Sequence, residues 1–326
     1  MKQGEKRIRT YKKGYLQVPD GHSLYYEFCG RRAGIPVVFL HGGPGSGFVE
    51  SHKAPFDPRM FNLVLFDQRG AGRSRPFASL RANTTPRLVE DIIRIMDLAG
   101  VDKALLYGGS WGSTLALAFA IAHPRRVAGL LLRGIFLGDQ RSISHDMGGS
   151  AIAFAPEAWE RFLAQVPPRH RTNLVEFYYR RMRSPRREVR RRFCYEWARY
   201  EMSLLTLKTT DEEIERHVKE YSYLSLSPLE AHYLRASCFM PEGYILANAP
   251  GLSGIPVSIV HGRYDLICAP ADALRLHEAI RGSRLKIVCA GHSASEPEIE
   301  KALRAELRWF AGVLAGAASP HAAGAS

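Results

Sequence analysis

Cysteine is scarce in this chain, with five in 326 residues. Cys29, Cys194, Cys238, Cys268 and Cys289 include no Cys-x-x-Cys pair, which excludes a zinc ribbon or a disulfide framework as the organising principle. Long apolar runs are missing too. Nowhere do eighteen uncharged apolar residues follow one another, and no apolar stretch of signal-peptide length follows the basic and polar residues 1–10. A soluble cytoplasmic protein with reduced thiols and no membrane partner is the expectation. Acidic residues are outnumbered, 32 against 45 basic, for a formal net charge of +13. Such an excess favours solubility and loose attraction to polyanions but specifies no nucleic-acid site. Disorder is excluded by the 46% hydrophobic and 24% charged content, which is globular composition and enough for a sizeable core. No internal repeat is present.

What is there is an alternation of short apolar runs with helical patterns, the mark of a mostly parallel sheet with helices on its faces. The pattern predicts strands at residues 16–18, 23–29, 36–40, 62–66, 104–108 and 127–133. Leu88, Val89, Ile92, Ile93 and Met96, apolar at spacings of three and four, predict a helix between the fourth and fifth. After Ser110, the small residues Gly112, Ser113, Ala116, Ala118 and Ala120 predict a helix lying close against the sheet. From Gly138 to about Asn248 the texture changes to Arg, Glu, Trp and Tyr at helical periodicity with little strand signal. Strands then resume at 256–261 and 284–289, with helices at 270–280 and about 296–314. The division expected is an α/β core of residues 1–138 and 249–315, a helical insertion of residues 139–248, and a disordered tail of residues 316–326 too poor in apolar side chains to order.

The chemistry centres on Gly108-Gly109-Ser110-Trp111-Gly112, a G-x-S-x-G between an apolar strand and a helix-forming run. A sharp strand-to-helix turn there lifts the serine hydroxyl to the carboxyl edge of the sheet, and glycines two before and two after remove side chains that would collide. The helix N-terminus favours negative charge developing nearby. His41-Gly42-Gly43-Pro44-Gly45 follows the third strand. Such a loop turns a backbone N–H towards a developing oxyanion, so the N–H groups of Gly43 and Trp111 are the expected oxyanion hole; a Gly-rich turn without a catalytic task is the alternative. Downstream, Asp265 follows one strand and His292 the next. The order Ser, Asp, His is that of an α/β-hydrolase triad: Ser110 attacks an acyl carbon, His292 moves its proton, and Asp265 holds the imidazole. His41, His123 and His261 read as packing or surface groups. Because position 110 is serine, acyl transfer is expected and the alkyl transfer of aspartate-nucleophile relatives is not.

These residues sit in longer strings. They include Asp20-Gly21-His22 with Tyr25-Tyr26-Glu27, Phe66-Asp67-Gln68-Arg69-Gly70-Ala71-Gly72-Arg73-Ser74, Thr84-Thr85, the elbow extended through Ser113-Thr114-Leu115-Ala116-Leu117, and Leu132-Arg133-Gly134-Ile135-Phe136. In them, from about Gly14 to Ser293, the chain resembles the prolyl aminopeptidases (proline iminopeptidases) of the α/β-hydrolase superfamily. The resemblance implies an eight-stranded α/β-hydrolase fold with a helical cap, and removal of N-terminal proline from small peptides without a metal or cofactor. It implies Ser110, Asp265 and His292 as triad and Gly43 and Trp111 as oxyanion donors. It also implies that Glu201 and Glu230 bind the substrate's free amine, as the family's cap carboxylates do; on an Arg-rich segment a glutamate more often just pairs with exposed arginines. Phe136, just past a strand, is expected to line a pocket for the pyrrolidine ring. Tyr200 stands where the family has Trp, Ala71 where it commonly has Cys, and Pro86 where Trp commonly follows the threonines; these departures bear on substrate rather than on chemistry. Cys268 matches a family cysteine near the site, where a thiol reagent would block it sterically. Asp67 and Arg69 are expected to brace their loop.

Two other functions compete with a serine aminopeptidase. One is an esterase or amidase with the same triad and a broader acyl pocket. The other is a non-catalytic protein that uses the Arg-rich stretch Arg180 to Arg192 to hold an anion. Interleaved Glu176, Glu188, Glu196 and Glu201, and the lack of an aromatic-basic RNA motif, favour a solvated helix face there and no nucleic-acid partner.

Overall fold

A computed structural model of the chain describes residues 8–317. Eight strands form one sheet: β1 (Thr10–Val18), β2 (His22–Gly30), β3 (Ile35–Leu40), β4 (Phe61–Phe66), β5 (Ala104–Ser110), β6 (Val127–Ile135), β7 (Val257–Gly262) and β8 (Arg284–Val288). Their order is β1-β2-β4-β3-β5-β6-β7-β8. The β1–β2 and β2–β4 pairs are antiparallel and the other five are parallel. This is the α/β-hydrolase fold, as the alternation of apolar runs and helical patterns predicts. Each expected strand is present. The largest difference is β1, which begins six residues before the apolar run at 16–18 because an edge strand with Lys12 and Lys13 exposed carries little apolar signal.

Parallel strands buried on both faces read as continuous apolar runs, and β4 is buried at all six positions. Its side chains divide between two cores. On one face Val38, Val64, Leu106 and Leu132 pack with helix α1 (Thr85–Ala99) through Leu88, Ile92 and Met96, and with α2 (Trp111–Ala122) through its alanines. Phe39, Leu65, Leu105 and Leu131 point the other way, towards Ile299, Leu303, Leu307 and Phe310 of the last helix, Pro297–Ala317. The expected tail, residues 316–326, lies almost wholly outside the described residues.

Between β6 and β7 the described residues form helices and turns only. These are α3 (Gln140–Ser144), α4 (Ala151–Phe154), α5 (Pro156–Ala164), α6 (Leu174–Met182), α7 (Arg187–Ser203), α8 (Asp211–Glu220), α9 (Tyr223–Leu234) and α10 (Tyr244–Asn248). Aromatic side chains bind this segment together. Phe162 stacks on Tyr178 at 4.3 Å between ring centroids and on Tyr200 at 4.5 Å, and Trp197 meets the cluster edge-on. Ser227 Oγ donates to the Cys194 carbonyl at 2.6 Å, locking α9 against α7. The arginines from Arg180 to Arg192 lie on the exposed side. Helix α11 (Pro270–Ala279) follows β7, and the helix Pro297–Ala317 becomes α12. Among the described residues no helix is long and apolar enough to cross a membrane.

Candidate active site

Every expected catalytic residue sits at or beyond the carboxyl end of a parallel strand, where open α/β sheets place their ligands. Ser110 closes β5 and caps α2 with φ 56° and ψ −130°, a conformation that costs about 1–3 kcal/mol and persists only where the surroundings impose it. The flanking glycines make the turn possible. A Cβ on Gly108 would run into the carbonyl of Gly112, and one on Gly112 into the carbonyl of Leu40.

Asp265 and His292 come from the loops after β7 and β8. His292 Nδ1 lies 2.7 Å from Asp265 Oδ2, while Asp265 Oδ1 accepts from the backbone N–H groups of Ile267 at 3.0 Å and Cys268 at 2.8 Å. Burial alone would raise the pKa of Asp265, but the His292 charge and these hydrogen bonds outweigh it and hold it at about 2. Burial lowers the pKa of His292; the Asp265 charge opposes this and the Arg133 charge adds to it. A neutral imidazole with its proton on Nδ1 follows, the form a general base needs.

Nε2 of His292 is met by Nη1 of Arg133 at 3.0 Å rather than by the Ser110 hydroxyl, and the same nitrogen donates to the His292 carbonyl at 2.8 Å. The Leu-Arg-Gly-Ile-Phe string contains Arg133, but its place against the base is a product of the tertiary fold. The backbone N–H groups of His292 and Ser293 donate to the carbonyl of Leu205, two residues past α7, tying the base's loop to the helical segment.

A cavity of about 260 Å³ opens onto Ser110, with Gly43, Arg133, Glu201, Leu226 and His292 in its wall. Glu201 and Trp197 are four residues apart on α7 and so share a face; Trp197 Nε1 donates to Glu230 Oε2 on α9 at 2.7 Å, which sets Glu230 against Glu201. Burial and then the Glu201 charge push Glu230 well above the carboxylate range. Burial lifts Glu201 to about 7, with a hydrogen bond from Glu230 pulling the other way, and leaves its Oε2 without a partner. Asp146 is pushed well up by burial, then by Glu201 and Asp265. It lies in the turn after α3, beneath Tyr200, whose hydroxyl donates to the Asp146 carbonyl at 3.1 Å. No described lysine or arginine forms an ion pair with any of the three. Nothing in the sequence around Asp146 marks it out, since its partners lie 55 and 84 residues away in the chain.

Phe136 is only 6% exposed, as Glu230 is, and its backbone is held by the hydroxyls of Ser113 and Thr114. His41 does more than pack: both ring nitrogens are hydrogen-bonded beside the oxyanion loop. Cys268 is buried, and burial pushes its thiol well up, so it is a poor nucleophile. Its Sγ, with Asp265 and His292, forms a group of ligand-type atoms within 4.8 Å of one another, but the latter two are already committed to each other. Asp67 and Arg69 brace their loop as expected. Arg69 grips Asp91 at 2.6 and 2.9 Å, and Asp67 accepts from the backbone of Phe48 and Arg73.

Comparison with known proteins bears on the fold and the family. The alpha/beta hydrolase fold family matches residues 35–298. A proline iminopeptidase of Arabidopsis thaliana is 42% identical over 299 residues, 91% of this chain and 79% of that one. Another, from Xylella fastidiosa (strain 9a5c), is 40% identical over 293 residues, 89% of this chain and 94% of that one. Among solved structures, a loop variant of a haloalkane dehalogenase from Bradyrhizobium elkanii superposes with a TM-score of 0.68 at 19% identity, covering 95% of this chain and 100% of that one. An esterase from Exiguobacterium antarcticum gives 0.64 at 20% identity, covering 91% and 98%. These two share the fold alone. With the elbow, the Ser-Asp-His order and relatives of about 40% identity along nine-tenths of its length, the chain belongs to the proline iminopeptidase family of α/β hydrolases.

Proposed function

We propose that the chain is a serine aminopeptidase that releases N-terminal proline from small peptides. The observation that supports this reading is the group of three mutually interacting carboxylates, Asp146, Glu201 and Glu230, of which Glu201 lies in the wall of the Ser110 cavity and none is ion-paired to a described lysine or arginine. Such a group attracts a charged α-amine and leaves a neutral mid-chain amide with unpaired partners, which is how an exopeptidase tells a chain end from its middle. All three come from the segment 139–248, whereas Ser110 ends β5 and Asp265 and His292 lie in the loops after β7 and β8. The helical segment therefore acts as a cap that selects, and the core does the chemistry.

With the amine held by the carboxylates, the prolyl carbonyl lies over Ser110. The hydroxyl oxygen attacks the carbonyl carbon as His292 Nε2, released by Arg133, takes its proton. Charge on the carbonyl oxygen is met by the N–H groups of Gly43 and Trp111, and ionised Asp265 stabilises the imidazolium. The tetrahedral intermediate breaks its C–N bond when His292 returns the proton to the leaving amine. Water, deprotonated by His292, then attacks the prolyl ester and frees proline and Ser110.

Release of a chromogenic amine from proline, alanine and N-acetylproline anilides by the wild type and by Ser110→Ala tests this. The expected result is cleavage confined to free N-terminal proline and abolished in the variant. Similar kcat/KM on blocked or non-proline substrates would move the chain to the broader esterase or amidase class.

A further inference from the structure

The residue after Asp67 in the β4 loop is a glutamine, Gln68, that is 2% exposed and touches both loops of the expected oxyanion hole. Its Oε1 accepts from the indole N–H of Trp111 at 2.9 Å, and its Nε2 donates to the carbonyl of His41 at 2.9 Å. An indole N–H can only donate, so the amide's orientation is fixed: oxygen to Trp111, nitrogen to His41. The strand order β4-β3-β5 explains the reach. From the end of β4 the side chain crosses the end of β3, where His41 lies, to the start of α2 beyond β5.

The tie continues through His41. The backbone N–H of Gln68 donates to His41 Nε2 at 2.9 Å, which leaves the ring proton on Nδ1, facing the Gly42 carbonyl at 2.9 Å. Ser46 Oγ donates to the same carbonyl at 2.9 Å. In a trans peptide the C=O and the following N–H point in opposite directions. Anchoring the Gly42 carbonyl on His41 and Ser46 therefore turns the Gly43 N–H to the opposite side, and Gly42, Gly43 and Ser110 share the wall of one cavity. Burial keeps the His41 ring neutral, in keeping with this pattern.

We propose that Gln68 is a positioning residue for the oxyanion hole, its side-chain amide fixing the two donor N–H groups, of Gly43 and Trp111, relative to each other. The inference rests on the reading of Ser110 as an acyl-transfer nucleophile but not on which acyl group it takes.

Gln68→Met keeps the volume and deletes both hydrogen bonds. Deleting one oxyanion donor outright costs about 10²–10³ in kcat, so misaiming both should cost about 10- to 100-fold. The expected result on proline p-nitroanilide is that loss in kcat with KM and the inhibition constant of free proline held within about twofold. A boronic acid analogue of proline, whose tetrahedral adduct places an oxygen in the hole, should bind weaker by the same factor as the loss in kcat/KM. A merely structural role would not separate the boronate from proline. The proposal is overturned if kcat stays within about twofold of wild type, or if KM and the proline constant rise as far as the boronate constant. Should Gln68→Met not accumulate as folded protein, Trp111→Phe, which removes only the indole end of the tie and keeps the backbone donor, decides by the same criteria. Hydrolysis of p-nitrophenyl acetate is measured in parallel. A wild type that turns over the ester but not the proline amide refutes the aminopeptidase reading, and kcat on the ester then decides the role of Gln68.

Discussion

Glutamine at position 201 removes a carboxylate that no described lysine or arginine pairs with, and the consequence for stability depends on pH. Burial raises the Glu201 carboxyl from 4.5 to about 7. At about 1.4 kcal/mol per tenfold change in proton affinity, ionising it costs the folded chain about 3 kcal/mol. Water entering through the cavity mouth screens part of this, leaving about 2 kcal/mol. The folded state holds this proton more tightly than the unfolded state does. Its contribution therefore favours folding at acid pH, below the unfolded value, and is lost as pH rises through about 7. Glu201→Gln cannot ionise and keeps that contribution. Its stability advantage over wild type should grow from near zero below about pH 5 to about 2 kcal/mol at about pH 8, or about 4–8 °C in thermal midpoint. Thermal unfolding of both proteins across that range is the measurement. A difference that is flat with pH, or largest in acid, would refute the idea that Glu201 is an uncompensated buried carboxyl. The same substitution should raise KM for proline p-nitroanilide by about 10- to 100-fold, the worth of a charge-assisted hydrogen bond, while sparing a neutral ester. In the wild type, KM for the amine substrate should rise as pH falls below about 7, where a proton on Glu201 competes with the ammonium group.

Thiol chemistry and the buried ion pair give two further tests. Four cysteines are buried and Cys289 is exposed, so Ellman's reagent should modify one thiol quickly in the native protein without loss of activity, and inactivation should follow the slow modification of Cys268; loss of activity in the fast phase would contradict the burial of Cys268. Arg69 and Asp91 are fully buried against each other, and Asp91→Asn strands the guanidinium, at a cost of about 3–5 kcal/mol in denaturant unfolding. A loss below about 1 kcal/mol would mean that Asp20, which also accepts from Arg69, carries the cation alone.

What was legible in the sequence depended on whether chemistry followed from chain-local pattern. The strands of the parallel sheet were legible because residues buried on both faces leave apolar runs, and the triad because strand ends position Ser110, Asp265 and His292 one by one in a fixed order. β1 is legible only at its last three residues, since the side chains of an edge strand alternate towards solvent. Glu201 and Glu230 came from resemblance alone; periodicity places each on a helix but not against the other, which takes the Trp197 bridge between α7 and α9. Asp146 was invisible because it sits in an irregular turn, held by Tyr200 from a helix more than fifty residues on. In the sequence His41 reads as a packing or surface group because a histidine's second hydrogen bond, here from the backbone of Gln68, is a tertiary fact.

On the proposed reading, the arrangement of charge lets selectivity and catalysis reside in different parts of one chain. Glu201 and Glu230 are kept from ionising freely by burial, and Glu230 also by the Glu201 charge, a cost that an arriving ammonium group would relieve. That relief is available only to a chain end. Across the cavity, Arg133 occupies the nitrogen of His292 that must accept the serine proton. The base is thus neutral and oriented before substrate arrives, but not yet engaged with Ser110. On the proposed reading, a peptide bound through its amine brings its carbonyl to the N–H groups of Gly43 and Trp111, and what remains is the exchange of one hydrogen-bond partner on Nε2, from guanidinium to hydroxyl. Discrimination on the cap side and activation on the sheet side then meet at a single atom, Ser110 Oγ, placed by a backbone turn that the glycines around it make possible.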